Sequence, residues 1–292
     1  MSVDRFVVRH CSLVILSSVL ALSACSRDSE PPDAHNTMAP TTAPAPQADH
    51  TAPATSTLAA DMSPTSHEVH WSYAGTGAPE YWGTLKEEFA TCALGKKQSP
   101  IDVSGVTVTA LPALNTQYKD VPLQVVNNGH TIQVNYAPGS TLTLEGKPYE
   151  LAQFHFHSPS EHTIGGKSTD MVAHFVHKAA DGELAVIETQ MTAGQEQSLI
   201  KSIWENLPRS GETRDSADTK INAAQLLPDN RSEYFHYIGS LTTPPCTEGV
   251  RWFVLANPIQ VSAEQIATFR NLFPMNARPV QAVSGRPVLA AN

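Results

Sequence analysis

The sequence is poor in basic residues, in cysteine and in long apolar runs. It has 19 Lys+Arg against 28 Asp+Glu, a formal net charge of −9. A surface with that balance does not neutralise phosphates, so nucleic acid is excluded as a partner. Charge-driven docking on an anionic membrane is excluded with it. No apolar run reaches the roughly 20 residues of a spanning helix, the extreme N-terminus apart. There is no His-Glu-x-x-His helix, no Gly-x-Ser-x-Gly elbow, and no Ser or Cys with the supporting residues of a nucleophile. There is also no βαβ rhythm and no internal repeat.

The N-terminus reads as a leader. Arg5 and Arg9 precede an apolar stretch from Cys11 to Ala24, the layout of a secretory signal. It ends in Leu22-Ser23-Ala24-Cys25, which resembles the lipobox of bacterial lipoproteins. That resemblance implies a signal peptide over 1–24, cleavage before Cys25 and a lipid on Cys25. The membrane would then be reached through acyl chains alone. Ser26, rather than Asp, follows Cys25, which points to the outer membrane and a periplasmic location. Residues 25–66 form a Pro/Ala/Thr-rich tether after that cysteine, with Pro31-Pro32 and the run Met38–Gln47. Such a composition buries too little to offset its ordering entropy. His35, His50 and His67 in or beside it are read as solvated. With Cys11 in the leader and Cys25 in the anchor, Cys92 and Cys246 remain. In an exported chain they are expected to pair, the other reading being two separate buried thiols.

From Val69 the composition changes, with Trp71, Tyr73, Tyr81, Trp82 and Phe89 close together. Residues 67–292 read as one domain. Strand patterns cover Val121–Val126 and Thr131–Tyr136 around an Asn128-Gly129 turn, then Thr141–Leu144, Glu150–His157, Met171–His177 and Leu184–Met191. Gln197–Leu207 has helical spacing, and Ser262-Ala-Glu-Gln265 is a capping box opening a second helix. The expected class is mainly β (α+β): a central twisted, mostly antiparallel sheet with short peripheral helices.

The chemistry concentrates in histidines. In Glu150-Leu-Ala-Gln-Phe-His-Phe-His157, residues two apart share a face, so Gln153, His155 and His157 point one way and Phe154 and Phe156 the other. In Met171-Val-Ala-His-Phe-Val-His177, Val172, His174 and Val176 share a face. If the two strands pair, His174 becomes a third ligand. Three neutral imidazoles suit Zn²⁺ with its fourth position open to water. By spacing alone, hydrogen-bonded core histidines remain the alternative. His162, in a turn, and His177, on the opposite face, read as structural.

The stretches Gln98-Ser-Pro-Ile-Asp102, Asn127-Asn-Gly-His130, Gln153-Phe-His-Phe-His157, Ser160-Glu-His-Thr163, Ala173-His-Phe-Val-His177, Gly239–Gly249 and Asn276-Ala-Arg-Pro279 occur in one order. In that order they resemble the α-class carbonic anhydrases, across essentially all of residues 69–292. The short loop between His157 and Glu161 and the Cys92/Cys246 pair resemble the exported bacterial branch. The implied fold has about ten sheet strands with zinc at the base of a conical cleft. The implied reaction is reversible hydration of CO2 to bicarbonate by zinc-bound hydroxide, with His155, His157 and His174 as ligands.

Further roles carry over by the same resemblance. Thr242 matches a gatekeeper whose hydroxyl donates to Glu161 and orients the attacking oxygen. Val176, Val186, Leu241, Thr242, Thr243 and Trp252 match the substrate wall. His130 matches a proton shuttle, with an ordinary pKa near 6.5. Tyr73, Asn128 and Gln133 match groups that order the intervening water. Gln153 and the backbone carbonyl of Asn276 match acceptors for the outer nitrogens of His155 and His157. Val172 departs from the pattern: an acidic residue usually stands there, bonded to the third ligand. The expectation is that the outer nitrogen of His174 is left to water or another acceptor and zinc is held less well. The rival functions are a zinc hydrolase acting on esters and a non-catalytic binding module of the same fold. A monomer or homodimer is expected.

Overall fold

The hairpin around Gly129 shows how local chemistry starts the sheet. Asn128 Oδ1 accepts from the backbone N–H of His130 and Thr131, both at 3.0 Å, and Asn127 Oδ1 accepts from Gly129 at 3.1 Å. Gly129 takes φ 83°, a left-handed conformation that glycine adopts without strain. The turn joins antiparallel strands Val121–Asn127 and Ile132–Asn135. The first alternates buried Val121, Leu123, Val125 and Asn127 with more exposed neighbours.

The computed structural model describes residues 70–291. Every described residue belongs to one unit, Ser63–Asn292. The leader, Cys25 and the tether lie outside the described residues. Among those described, no helix is long and apolar enough to cross a membrane.

A 13-stranded sheet dominates. Its main path of ten strands runs Thr213–Ile221, Val121–Asn127, Ile132–Asn135, Lys147–His157, Met171–Ala179, Leu184–Ala193, Glu248–Leu255, Tyr234–Ser240, Leu289–Ala291 and Thr107–Thr109. Most pairs are antiparallel. Parallel pairing occurs where Leu184–Ala193 meets Glu248–Leu255 and Ile259–Val261, and where Leu289–Ala291 meets Thr107–Thr109. The two histidine strands pair antiparallel, with His155 directly opposite His174 and His157 opposite Val172.

A register shift between Leu151 and Gln153 decides what these strands present. Before it, odd-numbered Tyr149 and Leu151 enter the main core; after it, even-numbered Phe154 and Phe156 do. A bulge of this kind exchanges the two faces of a strand, and it frees Gln153, His155 and His157 for the opposite face. On the neighbouring strands, Met171, Ala173, Phe175, Ala185, Ile187 and Met191 fill the same core. Val172, His174, Val176, Val186, Glu188 and Gln190 alternate with them. Burying each aromatic contributes on the order of 2–3 kcal/mol, so the core fixes which face the histidines occupy.

The peripheral helices follow their caps. Ser262 and Gln265 form the reciprocal capping box that opens Ala263–Leu272. Gln197 caps Ser198–Trp204 through its side-chain oxygen, 3.0 Å from Ile200 N. That helix is shorter at both ends than the apolar spacing predicts, because Gln197 acts as the cap and Leu207 lies beyond the last turn.

Candidate metal centre

His155, His157 and His174 converge. Their ligand nitrogens lie within 4.8 Å of one another. Each ring has one nitrogen committed elsewhere. His155 Nδ1 lies 2.8 Å from Gln153 Oε1, and His157 Nδ1 lies 2.6 Å from the Asn276 carbonyl. In the tautomers these acceptors require, the outer nitrogens donate and the inner ones carry lone pairs. His174 Nε2 lies 2.8 Å from Glu188 Oε2, which leaves Nδ1 for the interior.

Burial, with the neighbouring imidazoles of His157 and His174, holds His155 well below its ordinary pKa. Burial also lowers His157, against the opposing pull of Glu161. Neutral rings are what metal ligation needs. His157 Nε2 is buried without a hydrogen-bond partner, and so is Glu161 Oε2. The two atoms are 3.5 Å apart, and Glu161 Oε2 is 3.8 Å from His174 Nδ1. Buried polar atoms are normally satisfied, so these orphans mark an interior built to hold something more. The donor set fits a zinc ion.

Of the two outcomes expected at Val172, another acceptor rather than water takes the outer nitrogen of His174. Val172 indeed offers nothing, but Glu188 stands opposite His174 on the adjoining strand and supplies the carboxylate. Glu188 is fully buried. Burial alone would raise its pKa, yet His162 and His174 together pull it down to about 2. A second group of potential ligand atoms, His162, His174 and Glu188, lies equally close. There the carboxylate already takes both ring nitrogens, His162 Nδ1 at 2.6 Å and His174 Nε2 at 2.8 Å, so the cluster is satisfied by its own hydrogen bonds.

The wall expected for substrate comes together. A cavity of about 290 Å³ is lined by Val176, Val186, Leu241, Thr242, Thr243 and Trp252, with His155, His174, Gln153 and Leu184. Trp252 Nε1 donates to the Ser240 carbonyl at 2.9 Å, which fixes its ring. Glu161 is anchored by Arg278, whose backbone N–H donates to Glu161 Oε1 at 2.8 Å. The expected donation from Thr242 to Glu161 is not formed, since Glu161 Oε2 has no partner; Thr242 is nonetheless buried at the cavity.

His130 follows the Gly129 turn, half-buried, stacked on Trp71. Burial, then the charge of nearby His70, lowers its pKa to about 4, below the value the sequence suggests. Tyr73 is raised well above its ordinary pKa by burial and by Glu161. Gln133 stands opposite His155 and donates to Asn135 Oδ1 at 2.6 Å. Asn128 is exposed, and its oxygen closes the turn. His162 and His177 are structural: His162 bridges Glu188 and Tyr237, and His177 lies 2.8 Å from the Tyr118 hydroxyl. Cys92 and Cys246 are joined in a disulfide, Cα–Cα 5.0 Å, packed with Trp82 and Phe89.

Three residues were not singled out from sequence: Glu188, Gln190 and Arg278. Glu188 carried a signal, an acidic residue directly after the apolar run Leu184–Ile187 of a strand. Arg278 lies inside the Asn276–Pro279 stretch but has no ligand-type signature.

Comparison with known proteins identifies the family. Residues 77–292 match the profile of eukaryotic-type carbonic anhydrase. A carbonic anhydrase from a Nostoc species is 44% identical over 229 residues, covering 76% of this chain and 86% of that protein. One from Klebsiella pneumoniae is 42% identical over 236 residues, covering 80% and 96%. Among solved structures, a hyperthermostable carbonic anhydrase from an active hydrothermal vent chimney superposes with a TM-score of 0.74 at 47% identity, covering 76% of this chain and all of that one. The fold is that of a mainly β lyase, and the chain belongs to the α-class carbonic anhydrase family.

Proposed function

We propose that the chain hydrates CO2 reversibly to bicarbonate and a proton, with zinc held by His155, His157 and His174. The observation that carries this reading is the convergence of three imidazoles, each with its outer nitrogen held by an acceptor, beside an apolar-walled cavity. Three imidazoles with a fourth position open suit catalytic zinc. Zinc so held lowers the pKa of water to about 7, for which carbonic anhydrases are themselves the reference case.

The protein supplies the rest. Val176, Val186, Leu241 and Trp252 give an uncharged, weakly hydrated molecule an apolar wall. Glu161 is an acceptor with one oxygen tied to Arg278 and the other free. A hydroxyl such as that of Thr242, donating to that free oxygen, can only accept from the attacking water. It thereby fixes the direction of attack, a contribution of orientation. His130, half-exposed on its turn, is the group through which the released proton leaves.

The same reading places the enzyme in the bacterial cell envelope, tethered by a lipid on Cys25. The Cys92–Cys246 bridge supports it, since disulfides persist in oxidising compartments. The deciding experiment is zinc analysis and stopped-flow CO2 hydration on one sample. About one zinc per chain is expected, with hydration lost on chelation and restored by zinc. Protein that holds zinc but leaves CO2 untouched overturns the proposal.

A further inference from the structure

Four residues on two neighbouring strands form one constellation. Met171–Ala179 presents Val172 and His174; Leu184–Ala193 presents Gln190 opposite Val172 and Glu188 opposite His174. All four side chains are essentially inaccessible to solvent. Glu188 Oε2 takes His174 Nε2 at 2.8 Å and His162 Nδ1 at 2.6 Å, and Glu188 Oε1 accepts from Gln190 Nε2 at 2.6 Å. Gln190 Oε1 in turn accepts from the Thr169 hydroxyl at 2.5 Å. Beyond His162 the chain continues to the Tyr237 hydroxyl at 2.6 Å and to Ser99 Oγ at 2.7 Å.

A buried carboxylate with so many donors is held at one place and in one orientation. An isolated buried charge is costly, and only full hydrogen bonding makes it tolerable. Here the cost is met in full, around a group whose one contact with the metal centre is His174. Val172, by contrast, is packed and apolar; a carboxylate there would meet Gln190 and Glu188 across the strand pair.

We propose that Glu188 is the positioning residue for metal ligand His174, and that the carboxylate serving this ligand has moved across the strand pair from the position of Val172. Gln190 belongs to the same exchange. It fills the polar position opposite Val172 and holds Glu188 from behind. The inference rests on the zinc reading above and deepens it: retention of the ion depends on Glu188, and Val172 costs the site nothing.

The test is zinc release from full-length protein to an excess of chelator. Glu188→Gln keeps the shape and can still accept one hydrogen bond, but loses the charge that holds His174. It is expected to release zinc about 10–100-fold faster than wild type, the range for such outer partners. Returning a carboxylate to the other strand, in the double variant Val172→Glu/Glu188→Gln, is expected to recover much of that loss. A purely structural role would lower thermal stability without changing release from folded protein. Should Glu188→Gln fail to fold, nitrogen-15 NMR of the wild-type zinc protein reads the same point: His174 must be protonated at Nε2, in a strong hydrogen bond. Wild-type protein that takes up no zinc overturns the metal reading and this inference with it. Wild type that binds zinc, with Glu188→Gln releasing it at the same rate, or with His174 unprotonated at Nε2, overturns the inference alone.

Discussion

His130 lies flat against Trp71, with ring centroids 3.6 Å apart and planes at 11°, while its Nε2 is 2.9 Å from Nε2 of His70. The stack removes water from one face of the imidazole and the second histidine opposes its charging. Together they take it down to about 4. At neutral pH the ring is therefore neutral, and accepting a proton from a group near pH 7 is uphill.

From this a direction follows. Trp71→Ala restores water to the ring and His70→Ala removes the opposing charge, so each should raise the pKa of His130 toward 6.5. The ring protons of His130, followed by NMR through a pH titration, give the shift directly. Turnover at saturating CO2 should rise with it, since proton export follows the chemical step, while kcat/KM stays level. His130→Ala should lower kcat alone, with partial rescue by imidazole buffer. A His130 pKa unmoved in both variants would refute the account.

His177 makes a second pH-dependent prediction. It is fully buried, and burial pushes it from 6.5 to about 4 despite its bond to the Ala185 carbonyl. Below pH 6.5 the unfolded chain binds a proton that the folded ring refuses. The stability is thus complete above 6.5 and is lost as pH falls from 6.5 to about 4, by about 3 kcal/mol for this group. Urea unfolding across that range should show a shallower acid loss in His177→Gln than in wild type. Parallel curves would assign the acid sensitivity elsewhere.

Removing a ligand is the bluntest test of the site. His174→Ala leaves two imidazoles, a poor zinc site, and should abolish tight metal binding and CO2 hydration together. Equilibrium dialysis with zinc alone reads the first independently of the second. Full activity in this variant would sink the ligand assignment.

The disulfide spans a sequence separation of 154 residues. By chain entropy such a closure is worth at most about 5 kcal/mol. Cys92→Ser should lower the unfolding midpoint substantially and loosen the segment after Thr242, which hydrogen exchange would register. In unreduced, denatured wild type neither Cys92 nor Cys246 should be alkylated; labelling of both rules the bridge out.

The leader makes a prediction of its own. Expressed from its full reading frame in a Gram-negative host, the protein should partition with membranes, and Cys25→Ala should abolish the lipid. Mass spectrometry finding an unmodified N-terminus downstream of Cys25 would remove the anchor.

The alternation rule put His155, His157 and His174 on compatible faces before any fold was known, because a strand's period of two is a local property. The turn at Gly129 and the Ser262 capping box were readable for the same reason: their donors and acceptors lie within a few residues. The bulge between Leu151 and Gln153 was not readable, since it exists only relative to a partner strand. The strands Tyr234–Ser240 and Glu248–Leu255 lacked a clear alternating signal, the latter because both its faces are buried. Glu188 was missed because its meaning depends on register. An acid after a short apolar run is unremarkable until it is known to stand across from His174 of the histidine cluster.

Arg278 joins two regions that are otherwise far apart in the chain. Its guanidinium donates to the Gln98 side chain at 2.9 Å and to the carbonyls of Ser99 and Cys92 at 2.7 and 2.9 Å, and lies over the Trp82 ring. Its own backbone N–H holds Glu161. The N-terminal arm and the acceptor beside the histidine cluster are therefore two ends of one lever. Whatever displaces the arm, whether a cut bridge or a substituted tryptophan, is felt as a change in where a carboxylate points. The arm thus bears on the histidine cluster through two intermediaries, Arg278 and Glu161, without lining the cavity itself.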